Sequence, residues 1–139
     1  MNPTSLPVLI GFLRAGRVLD HASSALLLGG LGLAWAPAPG WAVSAWALLA
    51  FMLGLLEKYL AWRVALDAEF FQLLHAQPNA AADFDAALAQ FLGRAAPAGP
   101  GRAMADRWAG ARRLVGRQAL ALGGQALVVG ALLAARWLE

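Results

Sequence analysis

Hydrophobic positions along this chain are dominated by a run of 35 residues, 22–56, that contains no charged side chain. The segment Pro37-Ala38-Pro39-Gly40 interrupts this run near its middle. A bilayer core about 30 Å thick needs roughly 20 apolar residues of helix, so the run fits two spans joined by a turn. A third apolar stretch, 118–135, lies near the C-terminus. We therefore predict an all-α integral membrane protein with three transmembrane helices.

The remaining pattern divides a single membrane domain, 1–139, into five segments. Apolar side chains surround Arg14 and Arg17 near the N-terminus, which predicts an amphipathic lead at the membrane surface or running directly into the first span. No proline interrupts residues 41–75, so the second helix should leave the bilayer and continue as a long cytoplasmic stalk. The predicted segments are the lead 1–20, the first span 21–36, the second span 41–60, a cytoplasmic helical segment 61–113 and the third span 114–136.

The cytoplasmic segment carries signals for one short helix between the stalk and the third span. Asn79 is a candidate N-cap for a short amphipathic helix that stops at Gly93, and a Pro/Gly-rich linker, 95–101, follows. Stalk and short helix each have an apolar face, and we expect the two faces to cover each other; the alternative is a docking surface. The residues concerned are Phe70, Phe71 and Leu74 in the stalk and Phe84, Leu88 and Phe91 in the short helix.

The distribution of Lys and Arg predicts the orientation in the membrane. Arg14 and Arg17 precede the first span, eight basic residues lie in 58–117, and only Arg136 follows the third span. The turn between the first two spans has none. Because basic segments stay on the cytoplasmic side, we expect a multi-pass protein of the inner (cytoplasmic) membrane with its N-terminus in the cytoplasm and its C-terminus outside.

Small residues recur at steps of three and four in each predicted span, which places them on one helix face. In lipid, small residues let helix backbones approach closely. Glycines repeat every seven residues in the third span, so we expect a contact face there; in the first two spans, chance explains the pattern equally well. The sequence leaves open whether the small-residue face of the third span packs against another span of this chain, a second copy or a different protein. The candidate packing residues are Gly29, Gly32, Gly54, Gly116, Gly123 and Gly130.

A layer of polar residues is predicted at the inner boundary of the spans. Glu57 continues the small-residue face of the second helix, so it should point toward neighbouring helices and need a partner such as Arg17, His21 or Arg117. We favour an inter-helix anchor because the layer lies at the membrane edge; the alternative is a proton or ion site of Glu57 and His21. Gln118 and Gln125 should form inter-helix hydrogen bonds. The layer comprises Arg17, Asp20, His21, Glu57, Lys58, Arg117 and Gln118.

Motifs for catalysis, cofactors or metals are absent from the sequence. There is no cysteine, and the two histidines, His21 and His75, should lie at different depths, which argues against a haem. The acidic pairs in 67–69 and 83–85 are ordinary for solvated helix surfaces. A net charge of +3 is too small and too dispersed to indicate nucleic-acid binding. We therefore expect no catalytic residue, no cofactor and no metal, and nothing indicates an enzyme.

The expected function is that of a non-catalytic accessory or assembly subunit of an inner-membrane protein complex. Such a small subunit would pack through its small-residue helix faces, with membrane lipids and other membrane protein subunits as partners. The alternative is a homo-oligomeric channel or transporter module for an ion or small solute, using a protonatable Glu57/His21 cluster. A pore-forming, holin-like role is a distant third candidate.

Overall fold

The computed structural model describes residues 5–35, 40–77, 81–91, 93 and 104–137. Regular structure in these ranges is entirely helical, without strands, which confirms the all-α class. The helices are α1 (Ser5–Ala34), α2 (Trp41–Ala76), α3 (Ala81–Phe91) and α4 (Met104–Trp137). The predicted turn at residues 37–39, the cap at Asn79 and the linker 95–101 lie outside the described residues.

The long helices follow from where the chain has helix-breaking residues and where it has none. Pro7 lies in the first turn of α1, where its missing N–H is not needed, and α1 then continues without a break through the predicted start of the first span. α2 has 36 residues, which corresponds to about 54 Å at 1.5 Å per residue. It ends at Gln77, whose backbone is extended, just before Pro78.

α1, α2 and α4 pack against one another as a three-helix bundle. α1 and α2 run antiparallel, because Gly54 lies beside Leu27 whereas Val64, farther along α2, lies beside Gly16, nearer the start of α1. α1 and α4 run parallel, because Gln118 and Gln125 contact Gly16 and Ser23 in the same order. The starts of α1 and α4 and the end of α2 therefore share one end of the bundle.

The two ends of this bundle are constructed differently. At the end that holds Ser5 and Met104, a large core is buried between the three helices and the charged residues lie around it. The other end has a smaller buried cluster, Ala50, Val128 and Val129, with Val43 and Leu132 also buried, and leaves most of its large apolar side chains exposed. The large core contains Leu9, Ile10, Leu13, Val64, Ala68, Phe70, Phe71, Leu74, Ala111 and Val115.

The apolar face of the stalk packs against α1 and α4 and not against the short helix as expected. Phe70, Phe71 and Leu74 pack with α1 and α4 residues of the large core, because α1 begins beside the stalk instead of lying apart from it. Phe91 of α3 is 86% exposed, and the side chains of Phe84 and Leu88 lie outside the described residues. The expectation that the stalk and the short helix cover each other is therefore wrong for the stalk.

Two helices are long and apolar enough to cross a membrane. These are α2, Trp41–Ala76, and most of α4, Ala105–Ala135. In the most apolar 18-residue segment of each helix, only 28% of α2 and 33% of α4 is buried inside the protein. A core helix of a soluble protein would be mostly buried, so the exposure is compatible with a membrane location. The predicted first span is not confirmed: Arg17, Asp20 and His21 lower the hydropathy of α1.

Candidate functional site

Four fully buried polar side chains mark the junction between the two ends of the bundle. Ser23, Glu57, Gln118 and Gln125 have no solvent-exposed area. They form two layers, because both the α1 contacts (Gly16 and Ser23) and the α4 glutamines are seven residues apart. A spacing of seven returns a helix to nearly the same face, so the parallel helices α1 and α4 meet twice in the same register.

The layer nearer the apolar end joins α1 and α4 by a reciprocal pair of hydrogen bonds. Ser23 Oγ donates to Gln125 Oε1 at 2.8 Å, and Gln125 Nε2 donates to the Ser23 carbonyl at 3.3 Å. α2 approaches this layer at Gly54, where a Cβ atom would lie 2.7 Å from Leu27 Cγ and 2.9 Å from Gln125 Nε2. Glycine at this position is therefore a requirement of close packing.

The second layer joins all three long helices through one amide group. Gln118 Nε2 donates to Glu57 Oε1 on α2 at 2.7 Å and to the Gly16 carbonyl on α1 at 3.0 Å. A Cβ atom on Gly16 would lie 3.0 Å from both Gln118 Oε1 and Val64 Cγ1, so α1 also needs a glycine here. This Glu57–Gln118–Gly16 contact is the polar clasp of the bundle.

Lys58 lies beside the polar clasp and binds α1. Its Nζ donates to the Asp20 carbonyl and to Ser24 Oγ, each at 2.7 Å, and also to Asp20 Oδ1. An ammonium group has three N–H donors, so these bonds use all of them. The Lys58 and Asp20 side chains are about one-third exposed, whereas Glu57 is fully buried.

Two oxygens of the clasp have no hydrogen-bond donor among the described residues. They are Glu57 Oε2 and Gln118 Oε1, and both are buried. Lys58 Nζ lies 3.5 Å from Glu57 Oε2, which is an ion-pair distance but not a hydrogen bond. Leaving a buried acceptor unpaired costs about 1–3 kcal/mol, so this local arrangement is chemically incomplete.

The structure brings together Asp20, Glu57, Lys58 and Gln118 of the predicted layer. The partner expected for Glu57 among Arg17, His21 and Arg117 is not found: these side chains are exposed, and Gln118 and Lys58 lie next to Glu57 instead. The reason is helix phase, because Arg17 and Arg117 are each one residue away from a position that faces the bundle interior.

Gln125 and Gln118 form the inter-helix hydrogen bonds predicted from the sequence. Sequence reasoning missed Gly16, Ser23 and Ser24. A signal for two of them was present: Gly16 and Ser23 repeat the seven-residue spacing of the two glutamines. Small residues are common in this chain, so the spacing becomes informative only when α1 and α4 are known to be parallel.

Among the predicted packing glycines, only Gly54 is buried inside the bundle. Gly29 and Gly32 of α1 are exposed with open space beside them, and so are Gly116, Gly123 and Gly130 of α4. α4 therefore turns Gly116, Gly123 and Gly130 outward, and Gly123 and Gly130 line a shallow apolar groove on the bundle surface. Within the described ranges no other span of this chain covers this glycine face of α4.

Comparison with known protein families, with curated proteins and with solved structures gave no significant match. No group of three or more metal-binding side chains is present in the part of the chain that the structure describes. Two features of the bundle bear on its function: the buried polar clasp and the outward glycine face of α4.

Proposed function

We propose that this chain is a non-catalytic accessory or assembly subunit of an inner-membrane protein complex. The observation that carries the proposal is the glycine face of α4, defined by Gly116, Gly123 and Gly130, which lies on the surface with open space beside each glycine. The inward face of α4 is already filled through Gln118 and Gln125. The glycine face is therefore available to a helix of a partner, which it lets approach closely.

The exposed apolar end of the bundle supports placement in a membrane. Leu28, Leu120 and Leu127 have exposed fractions of 73%, 77% and 77%. Such a surface is unfavourable in water and normal in lipid, and contiguous exposed apolar area marks a membrane or protein contact. In this proposal the apolar end spans the bilayer as the predicted spans 21–36, 41–60 and 114–136.

The direction of the helices supports the proposed topology. Because α1 and α4 are parallel, the basic starts of both helices lie at the same end of the bundle, which also holds the end of the α2 stalk. The Arg-rich segments therefore lie together at one end of the bundle, and segments rich in Arg and Lys stay on the cytoplasmic side of the membrane. The N-terminus is then cytoplasmic and the C-terminus lies outside.

The alternative, a homo-oligomeric channel or transporter module, has weaker support. It needs Glu57 and His21 to act together, yet Glu57 is sealed between helices of one chain while the His21 side chain is exposed. A homo-oligomer using the same glycine face of α4 is nevertheless a distinct outcome, and the experiment must separate it from a complex with another subunit.

The test is extraction of the protein from its own cells in native lipid particles, followed by mass spectrometry. Gly123→Leu fills the glycine face, and Gly110→Leu is the matched control, because Gly110 also lies on α4 with open space beside it. We expect a stoichiometric membrane partner with the wild type and Gly110→Leu, and its loss with Gly123→Leu while circular dichroism stays unchanged.

A homo-oligomer without a second protein would overturn the subunit proposal. A partner that remains bound at equal stoichiometry in Gly123→Leu would leave the subunit role standing and overturn the glycine face of α4 as the contact with that partner. In the homo-oligomer case, ion flux in liposomes made with purified protein tests the transport alternative. Loss of this flux in Glu57→Gln would then support the alternative function.

A further inference from the structure

A patch of exposed positive charge lies on α4 beside the polar clasp. The side chains of Arg112, Arg113 and Arg117 are all exposed. The single acid of α4, Asp106, lies in its first turn, about 10 Å before Arg113 along the helix axis. Within the described ranges no carboxylate forms an ion pair with any of the three arginines. The patch therefore carries uncompensated positive charge.

The acids of the clasp region do not compensate this charge. Asp20 on α1 is bound by Lys58, and Glu57 is fully buried. Arg113 and Arg117 are four residues apart, so their guanidinium groups share one face of α4. Like charges at this spacing repel each other and destabilise a helix. An anion placed between the two groups removes this repulsion.

The patch lies at the level where the charged end of the bundle meets its apolar end. Arg117 on α4 and Arg17 on α1 are both exposed, and each is next in sequence to a residue of the polar clasp, so the two lie at one level. On α2, Tyr59 and Trp62 follow the clasp glutamate within five residues and are also exposed. Basic and amphipathic aromatic side chains at one level are typical of a membrane–water interface.

The face of α4 that carries Arg113 and Arg117 continues into the apolar end as exposed leucine. Leu120 lies three residues after Arg117 and Leu127 seven residues further, and both spacings keep nearly the same face. Leu127 is about 15 Å beyond Arg117, which is half of a bilayer core about 30 Å thick. Two guanidinium groups followed by apolar surface one leaflet long match the headgroup and acyl chain of a phospholipid.

We infer that this face of α4 binds an anionic phospholipid, with the lipid phosphate between Arg113 and Arg117 and an acyl chain along Leu120 and Leu127. Guanidinium groups bind phosphate oxygens through paired N–H donors. An anionic headgroup is favoured over a zwitterionic one, because the cationic group of the latter is repelled by the arginines. The inference rests on the membrane placement in the proposed function, but not on the subunit role.

Electron paramagnetic resonance of spin-labelled lipids tests this preference. The purified full chain is placed in phosphatidylcholine nanodiscs at low salt, where screening is weak. We expect labelled phosphatidylglycerol to bind at least about fivefold more tightly than labelled phosphatidylcholine, because one arginine near the membrane surface favours anionic lipid by about this factor. Arg117→Gln should lower the preference about fivefold or to none, and Arg113→Gln/Arg117→Gln should abolish it.

Arg63→Gln is the matched control, since it removes one positive charge from an exposed position on α2. Arg63 already donates a hydrogen bond to Tyr59 Oη at 3.2 Å and interacts with the acid Asp67. We therefore expect Arg63→Gln to keep the wild-type preference. An equal loss in Arg63→Gln and Arg117→Gln would show a general effect of charge and overturn the site on α4. Circular dichroism should be the same for all variants, because the substituted side chains are exposed.

Other outcomes also overturn the inference. Displacement of labelled phosphatidylglycerol by an equal concentration of inorganic phosphate would assign the patch to a free anion. Absence of a preference in the wild type, with loss of a partner from native lipid particles in Arg113→Gln/Arg117→Gln, would assign it to an acidic segment of a partner protein. The nanodiscs hold no partner, so failure of the subunit role leaves the lipid preference intact. A chain that does not enter nanodiscs would overturn both the inference and the membrane placement.

Discussion

A single glutamine holds three helices in register. Gln118 donates one amide hydrogen to α2 and the other to the α1 backbone, and both acceptors are buried. The apolar side chains of the bundle are mostly Leu, Ala and Val, and contacts between such similar side chains allow several alignments of the helices. The directional hydrogen bonds of Gln118 allow only one. A buried polar residue of this kind fixes helix register at some expense of stability.

At this residue scale, Gln118→Leu tests the polar clasp. Leucine keeps most of the volume but removes both donors, so Glu57 Oε1 loses its amide partner and the Gly16 carbonyl its interhelical one. We expect a loss of about 1–3 kcal/mol in the free energy of unfolding, measured in mixed micelles with increasing denaturant. Gln90→Leu on the exposed surface of α3 is the control. A loss no larger than that of the control would contradict the role given to Gln118.

At the scale of the helix, the sequence predicted where helices form and where they end, but not which faces of the helices pack against one another. The absence of proline from residues 41–75 correctly predicted one long helix, and α3, Ala81–Phe91, lies between the predicted cap Asn79 and the predicted stop Gly93. Which face of each helix packs inside the bundle was harder to predict from the sequence, because Gly123, which faces outward, and Gly124, which faces inward, are equally small. Direction is decided by Gln118 and Gln125, whose need for partners outweighs the preference of small residues for contact.

The same distinction between inward and outward glycines predicts opposite effects of one substitution. Gly54→Ala adds a methyl group where Leu27 and Gln125 leave no room, so we expect a loss of about 1–3 kcal/mol from overpacking. Gly123→Ala adds it in open space, so the gain in helix propensity, about 1 kcal/mol, should appear as greater stability. Thermal unfolding of both variants in the same detergent checks the signs; equal shifts would show that α2 does not approach α1 at Gly54.

At the scale of the whole molecule, the placement of large apolar side chains reverses along the bundle: they are buried at the charged end and exposed at the apolar end. The charged end hides Phe71, Leu13 and Leu74 as a water-soluble bundle does, and the other end places Leu120 and Leu127 on the outside. The polar clasp lies where the two patterns meet. Composition alone indicated a membrane protein, but this reversal appears only once the helices are packed, because exposure depends on what covers each face.

This reversal predicts that the same charge substitution has different consequences at the two ends. Leu127→Arg places a guanidinium on the exposed apolar surface, where in a bilayer it costs about 2.5–3.5 kcal/mol, so the amount of folded protein in the membrane fraction should fall severalfold. Leu66→Arg places the same group on the exposed surface of the α2 stalk, and should leave that amount nearly unchanged. Both leucines are exposed, so loss of core packing cannot explain a difference between them. Equal tolerance of the two arginines would mean that the apolar end is not in contact with lipid, and the exposed leucines would then have to be covered by protein.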